Sequence, residues 1–119
     1  FLAAPWVGML QDGAWLCHAA HANRMARRLR RALTKVNGLK FLHPTQANAV
    51  FVDMPPALNA ALHRRGWHFY TLYGDRDARL MCAWDTTEED VDAFAADIRE
   101  LTGDRRLLAA NEPARRTKR

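Results

Sequence analysis

The sequence predicts a small α/β (α+β) domain: a largely antiparallel sheet of three to four strands with helices on one face. Three observations carry this expectation. Helical and strand-like periodicities alternate along the 119 residues in the order α-α-β-β-α-β-β-α. The turns "HPTQ" (43–46) and "GDRD" (74–77) are short enough for hairpins rather than parallel crossovers. Apolar residues make up 49% of the chain and charged residues 26%, the balance of a globular domain with a real core.

Each element has its own signature. Residues 1–12 read as a short helix with Pro5 in its first turn, and Gly13 permits a break. Over 14–36, Leu16, Ala20, Met25, Ala26, Leu29 and Leu33 recur at helical spacing, while five arginines between 24 and 31 mostly take the other faces. Asn37 and Gly38 stop this helix. "LKFLH" (39–43) is a short strand. "NAVFVDM" (48–54) is a stronger one, with Val50 and Val52 on one side and Ala49 and Phe51 on the other. Two prolines open the helix "PPALNAALHRRG", Leu58, Ala61 and Leu62 form its apolar face, and Gly66 closes it. "WHFYTLY" (67–73) and "RLMCAW" (79–84) are the remaining strands. Thr86 with Glu89, or Thr87 with Asp90, has the spacing of a capping box. Val91, Phe94, Ala95, Ile98 and Leu101 make one face of the last helix, and Gly103 ends it. Residues 104–119 lose periodicity and turn basic, the pattern of a mobile tail.

Several function classes fall away. No apolar run approaches the ~20 residues of a membrane span. "FLAAPWVGMLQDGAW" has no basic leader and is not read as a signal peptide, and the missing initiator Met suggests a processed chain or a fragment. Cys17 and Cys82 make neither a disulfide framework nor a zinc site; buried free thiols of a cytoplasmic protein are expected. There is no serine and no Gly-rich phosphate loop. His18 and His21 share a helix face but lack a third ligand, so no metal is expected. Lys35, Lys40 and Lys118 all sit outside apolar settings, so none suits Schiff-base chemistry, which needs a desolvated lysine. The net charge of +5 rests on fifteen arginines and three lysines. The basic runs could bind a polyanion, but no aromatic residues interleave with them, and a solvated helix face is the preferred reading over nucleic-acid binding.

Arg79 is the residue this inventory leaves over. It stands at the head of an apolar run, and two readings stay open. It reaches solvent or pairs with Asp75, Asp77 or Asp85. Or it is an anion anchor, because guanidinium is planar, permanently charged and matched to a carboxylate.

"ANAVFVDMP", "PALNAALHRRG" and "ARLMCAWDTTEEDVDAFAADI", in that order, resemble the C-terminal small domain of low-specificity threonine aldolases. These are β-eliminating lyases among the fold-type I pyridoxal-phosphate enzymes of the aspartate aminotransferase-like superfamily. "FLAAPWVGML" resembles the segment after a "GGGMRQAG" stretch in that family, and "HAN" (21–23) its "DH-x-N". The resemblance covers roughly 1–103. It implies a small domain over 1–103, beginning with long helices, followed by the tail 104–119. It also implies that Arg79, matching the arginine of "R-L-V-T-H-x-D-[VT]-[ST]", binds the substrate α-carboxylate. The family's Thr-His pair is replaced by Cys82 and Ala83, so no role transfers there. Asn48 matches the asparagine opening the family's second strand and is placed at a turn or pocket edge. No catalytic, cofactor-binding or metal-binding residue is assigned within the chain. The implied complete enzyme uses pyridoxal phosphate, held by a large domain absent here, to cleave threonine to glycine and acetaldehyde, and is a homo-oligomer. The competing reading is an orphan domain that self-associates or binds anions or nucleic acid through its basic helix.

Overall fold

The structure is a computed structural model and describes residues 2–103; the basic run 104–119 lies outside the described residues. Helix α1 (Ala4–Leu10) leads through a 3-10 turn (Gln11–Gly13) into α2 (Ala14–Thr34). Strands β1 (Lys40–Phe41) and β2 (Ala49–Asp53) follow, then α3 (Pro56–Arg64), β3 (Tyr70–Thr71), β4 (Asp77–Met81) and α4 (Glu88–Gly103). The element order is the expected one. The four strands are antiparallel and lie in the order β1-β2-β4-β3.

The helices cover one face of the sheet. Val50, Val52, Ala78 and Leu80 point into a core with Met25, Leu29 and Leu33 of α2, Leu58 and Leu62 of α3, and Val91, Phe94 and Ile98 of α4. The helix α2, at 21 residues, is ~32 Å long. Its buried residues run from Ala22 to Leu33. The first half projects past the sheet together with α1, which gives the molecule extents of 66 × 31 × 26 Å. For that reason Leu16 and Ala20, expected in the core, are exposed, and so is Cys17; of the two cysteines only Cys82 is buried. At the 3-10 turn, Asp12 and Gly13 both take positive φ (56° and 67°), the break that Gly13 permits.

All four strands have bounds other than those expected: β1 is Lys40–Phe41 rather than 39–43, and β2 is Ala49–Asp53 rather than 48–54. The third was read over 67–73, but only Tyr70 and Thr71 join the sheet. Trp67 and Phe69 instead turn onto the core. Trp67 Nε1 donates to Asp97 of α4 at 2.7 Å, on the helix side of the sheet. The fourth strand, expected over 79–84, is Asp77–Met81: it begins two residues earlier because Asp77 pairs with Asp53 and Ala78 with Val52, and it ends three residues earlier, at Met81. Of the two candidate capping boxes, Thr87 with Asp90 is the one formed. Thr87 N donates to Asp90 Oδ2 at 2.9 Å, and Asp90 N donates to Thr87 Oγ1 at 3.1 Å.

Ion pairs fasten the helices to one another. Arg28 of α2 meets Glu88 (3.0 Å) and Asp92 (2.8 Å) of α4. Arg65, after α3, meets Asp97 and Glu100 of α4. Hydrogen bonds from Trp67 and then Arg65 hold the Asp97 carboxyl below its ordinary range, and Arg65 does the same for Glu100. The Arg28 hydrogen bond lowers Asp92, and the Thr87 cap lowers Asp90. Asn59, the buried polar residue of α3, donates from Nδ2 to the Asp75 carbonyl at 2.8 Å and so pins the turn that launches β4.

Leu62→Ala should cost ~2–5 kcal/mol in urea unfolding, whereas Leu16→Ala on the projecting helix should stay within about 0.5 kcal/mol. Carboxyls whose folded pKa is depressed stabilise the fold above their unfolded values near ~4. That contribution is lost as pH falls through the folded values. The urea midpoint should therefore be flat down to about pH 5 and decline below about pH 4. Asp97→Asn should lower the midpoint at neutral pH and make the acid decline shallower.

Candidate functional site

Strand alternation leaves a second face, on the side away from the helices. Ala49, Phe51 and Asp53 of β2 share it with Asp77, Arg79 and Met81 of β4. The helix-side core does not include Phe51, which meets His43 edge-on at 5.3 Å. Tyr70 and Met81 are exposed, so this face is open.

Arg79 lies in the middle of β4, an interior strand, rather than at a strand head. It stands directly across from Phe51 on one side and Tyr70 on the other. Its Nε is buried and has no hydrogen-bond partner among the described residues. Among the described residues, no carboxylate comes within 4.0 Å of it. Pairing with Asp75, Asp77 or Asp85 is therefore not what the structure shows. A half-buried guanidinium with an unused donor is a poor structural element and a ready anion receptor, since an unmet buried donor costs ~1–3 kcal/mol that an incoming carboxylate relieves.

Asn48 sits just before β2 and carries the ladder one step further. Cys82 N donates to the Asn48 carbonyl at 2.8 Å, and Asn48 Nδ2 donates to the Cys82 carbonyl at 3.0 Å. Its side-chain amide is thus committed to holding the end of β4. On the same loop, the Thr45 hydroxyl is buried without a partner. Sequence reasoning passed over Thr45 because a threonine in a "HPTQ" turn carries no signal beyond the turn itself.

His18 packs edge-on against Trp84 at 5.4 Å, and His21 Nε2 lies 2.7 Å from the Thr86 carbonyl. Both histidines clamp α2 to the loop before α4. No group of three metal-ligating side chains occurs among the described residues. An apolar cleft of about 240 Å³ opens where residues 67–69 leave β4, lined by Trp67, Phe69, Leu80, Cys82, Val91 and Phe94 among others. It lies on the core side of the sheet, away from Arg79. Burial pushes the Cys82 thiol up to about 11, so it is protonated at neutral pH and is no nucleophile. Lys35 and Lys40 are exposed. No helix of the described residues is long and apolar enough to cross a membrane.

Helices on one face of a four-stranded antiparallel sheet form a layer shared with fold-type I pyridoxal-phosphate enzymes. The chain is 50% identical over 101 residues to a low-specificity L-threonine aldolase of Pseudomonas sp. (strain NCIMB 10558), a match covering 85% of this chain and 29% of that protein. The chain thus spans less than a third of the relative's length. Among solved structures, a threonine aldolase from Leishmania major matches with TM-score 0.61 and 26% identity, over 70% of this chain and 25% of that one. The glycine decarboxylase (P-protein) of the glycine cleavage system, in inhibitor-bound form, matches with TM-score 0.70 and 26% identity, over 82% and 24%. No family model matches. The decarboxylase superposes better than the Leishmania aldolase, so the backbone defines the architecture but does not single out an activity. In sequence, over most of its length, the chain is similar to low-specificity L-threonine aldolase.

If Arg79 is held for a ligand rather than for the fold, replacing it with an apolar side chain of like shape should not destabilise. Arg79→Met is expected to leave the urea midpoint of the unliganded chain unchanged, or to raise stability by up to about 1 kcal/mol. A loss larger than that would make Arg79 a structural residue.

Proposed function

We propose that this chain is the C-terminal small domain of a larger pyridoxal-phosphate-dependent threonine aldolase, and that Arg79 is its anchor for the substrate α-carboxylate. One observation carries the residue assignment: the Arg79 guanidinium stands on the open face of a rigid sheet with its Nε buried and unpartnered. The activity reading rests on the 50% identity to low-specificity L-threonine aldolase. A central strand, packed on three helices behind it, is a stiff mount for a bidentate fork.

In this reading the remaining residues act as supports. Asn48, at the pocket edge, fixes the end of β4 through Cys82. The projecting arm, with Leu2, Trp6, Val7, Leu10 and Leu16 exposed, presents an apolar surface to the large domain or to another subunit of a homo-oligomer. The cofactor, bound by the large domain, would supply the electron sink for cleavage of threonine to glycine and acetaldehyde. Arg79 would fix the carboxylate so that the Cα–Cβ bond is held in the orientation needed for cleavage, which is a positioning role. The same exposed arm favours a second reading for the isolated chain, a module that self-associates.

Steady-state kinetics test the proposal. In the complete protein, Arg79→Lys keeps the charge but loses the fork, and KM for threonine should rise ~10–100-fold. The chain alone, supplied with pyridoxal phosphate and threonine, should release no acetaldehyde. An unchanged KM would remove Arg79 from the site, and turnover by the chain alone would overturn the small-domain reading.

A further inference from the structure

Arg79 shares its face of the sheet with two carboxylates. Asp77 lies two residues earlier on β4. Asp53 lies on β2, two positions along from Phe51, the direct partner of Arg79. It is therefore a diagonal cross-strand neighbour, and such neighbours, ~7–8 Å apart, are within reach of a long side chain. An arginine with a free fork beside an unoccupied Asp53 would be expected to pair with it, and an anchor already paired cannot grip a substrate without breaking that pair.

Asp53 is occupied by a different arginine. Arg76 Nε donates to Asp53 Oδ1 at 2.8 Å. Arg76 is brought there by a tight bend at the start of β4, where Ala78 N donates to the Arg76 carbonyl at 2.8 Å while Met54 N donates to the same oxygen at 3.0 Å. The turn before it is pinned by buried Asn59 through the Asp75 carbonyl. Asp53 also stands directly opposite Asp77, so Arg76 supplies the positive charge this like-charged pair lacks.

We propose that Arg76 is a positioning residue for the anchor: by occupying Asp53 it keeps the Arg79 guanidinium free for the carboxylate of an incoming amino acid. This rests on the anchor reading of Arg79 and adds to it the residue that keeps the anchor unpaired. Arg76 itself touches no substrate. Its effect passes through Asp53, so removing Asp53 should make Arg76 dispensable.

The experiment is a double-mutant cycle in the complete protein, reading KM and kcat for threonine with Arg79→Lys alongside. Arg76→Ala should raise KM about threefold to tenfold with kcat little changed, as Asp53 turns to Arg79. Arg76→Ala combined with Asp53→Asn should return KM to within about twofold of the parent, which loss of a merely structural ion pair would not do. Should Arg76→Ala not fold, Arg76→Met, which keeps the aliphatic stem but offers Asp53 no donor, replaces it in the same cycle. An unchanged KM for the Arg76 variant, or a raised KM that Asp53→Asn does not restore, overturns the proposal while leaving the anchor intact if Arg79→Lys still raises KM. If Arg79→Lys leaves KM unchanged, the anchor reading itself fails, and this proposal with it.

Discussion

The pairing of β2 with β4 is the constraint on which the rest depends. Five residue pairs, from Ala49 with Met81 to Asp53 with Asp77, set one register. That register does two things at once. It turns Val50, Val52, Ala78 and Leu80 into the core, and it turns Phe51, Asp53 and Arg79 onto the open face. A slip of β4 by one residue would exchange its faces, burying the Arg79 guanidinium in the apolar core and exposing Ala78 and Leu80. The apolar face therefore specifies the position of Arg79 more strongly than any contact Arg79 makes itself.

Everything around the ladder holds that register. Asn48 and Cys82 extend it by one more pair of hydrogen bonds. Asn59 and the bend at Arg76 fix where β4 starts. Behind the sheet, α2 and α4 are tied through Arg28 to Glu88 and Asp92, and the segment after α3 is tied to α4 through Arg65 and Trp67. These ion pairs are largely solvent-exposed, so each adds little alone. Their consequence is geometric: the helices sit where their apolar faces meet one side of the sheet and leave the other bare.

Local signals were legible in the sequence and long-range ones were not. Alternation of Val50 and Val52 and the apolar face of α4 follow from periodicity within one element, and they appear in the structure where expected. The start of β4 at Asp77 depends on β2, 24 positions away by the register Asp53 with Asp77, and nothing within "GDRD" announces it. β3 is confined to Tyr70–Thr71, and Trp67 before it bonds instead to Asp97, 30 positions away. Leu16 and Cys17 continue the apolar pattern of α2, yet that helix outruns the sheet, and periodicity does not say where a partner surface ends. In the sequence Arg79 stands out as a basic residue heading an apolar run, and the family resemblance implies an anchor. That its donor is unpartnered, and that Asp53 is held by Arg76, required the fold.

The central claim is that an interior strand carries an arginine kept free for a carboxylate. A crystal structure of the complete protein with glycine or threonine bound tests it most directly. The substrate carboxylate should lie within about 3 Å of the Arg79 guanidinium in a two-pronged contact, with Asp53 still on Arg76. A carboxylate held elsewhere, with Arg79 turned to Asp53 or Asp77, would contradict it.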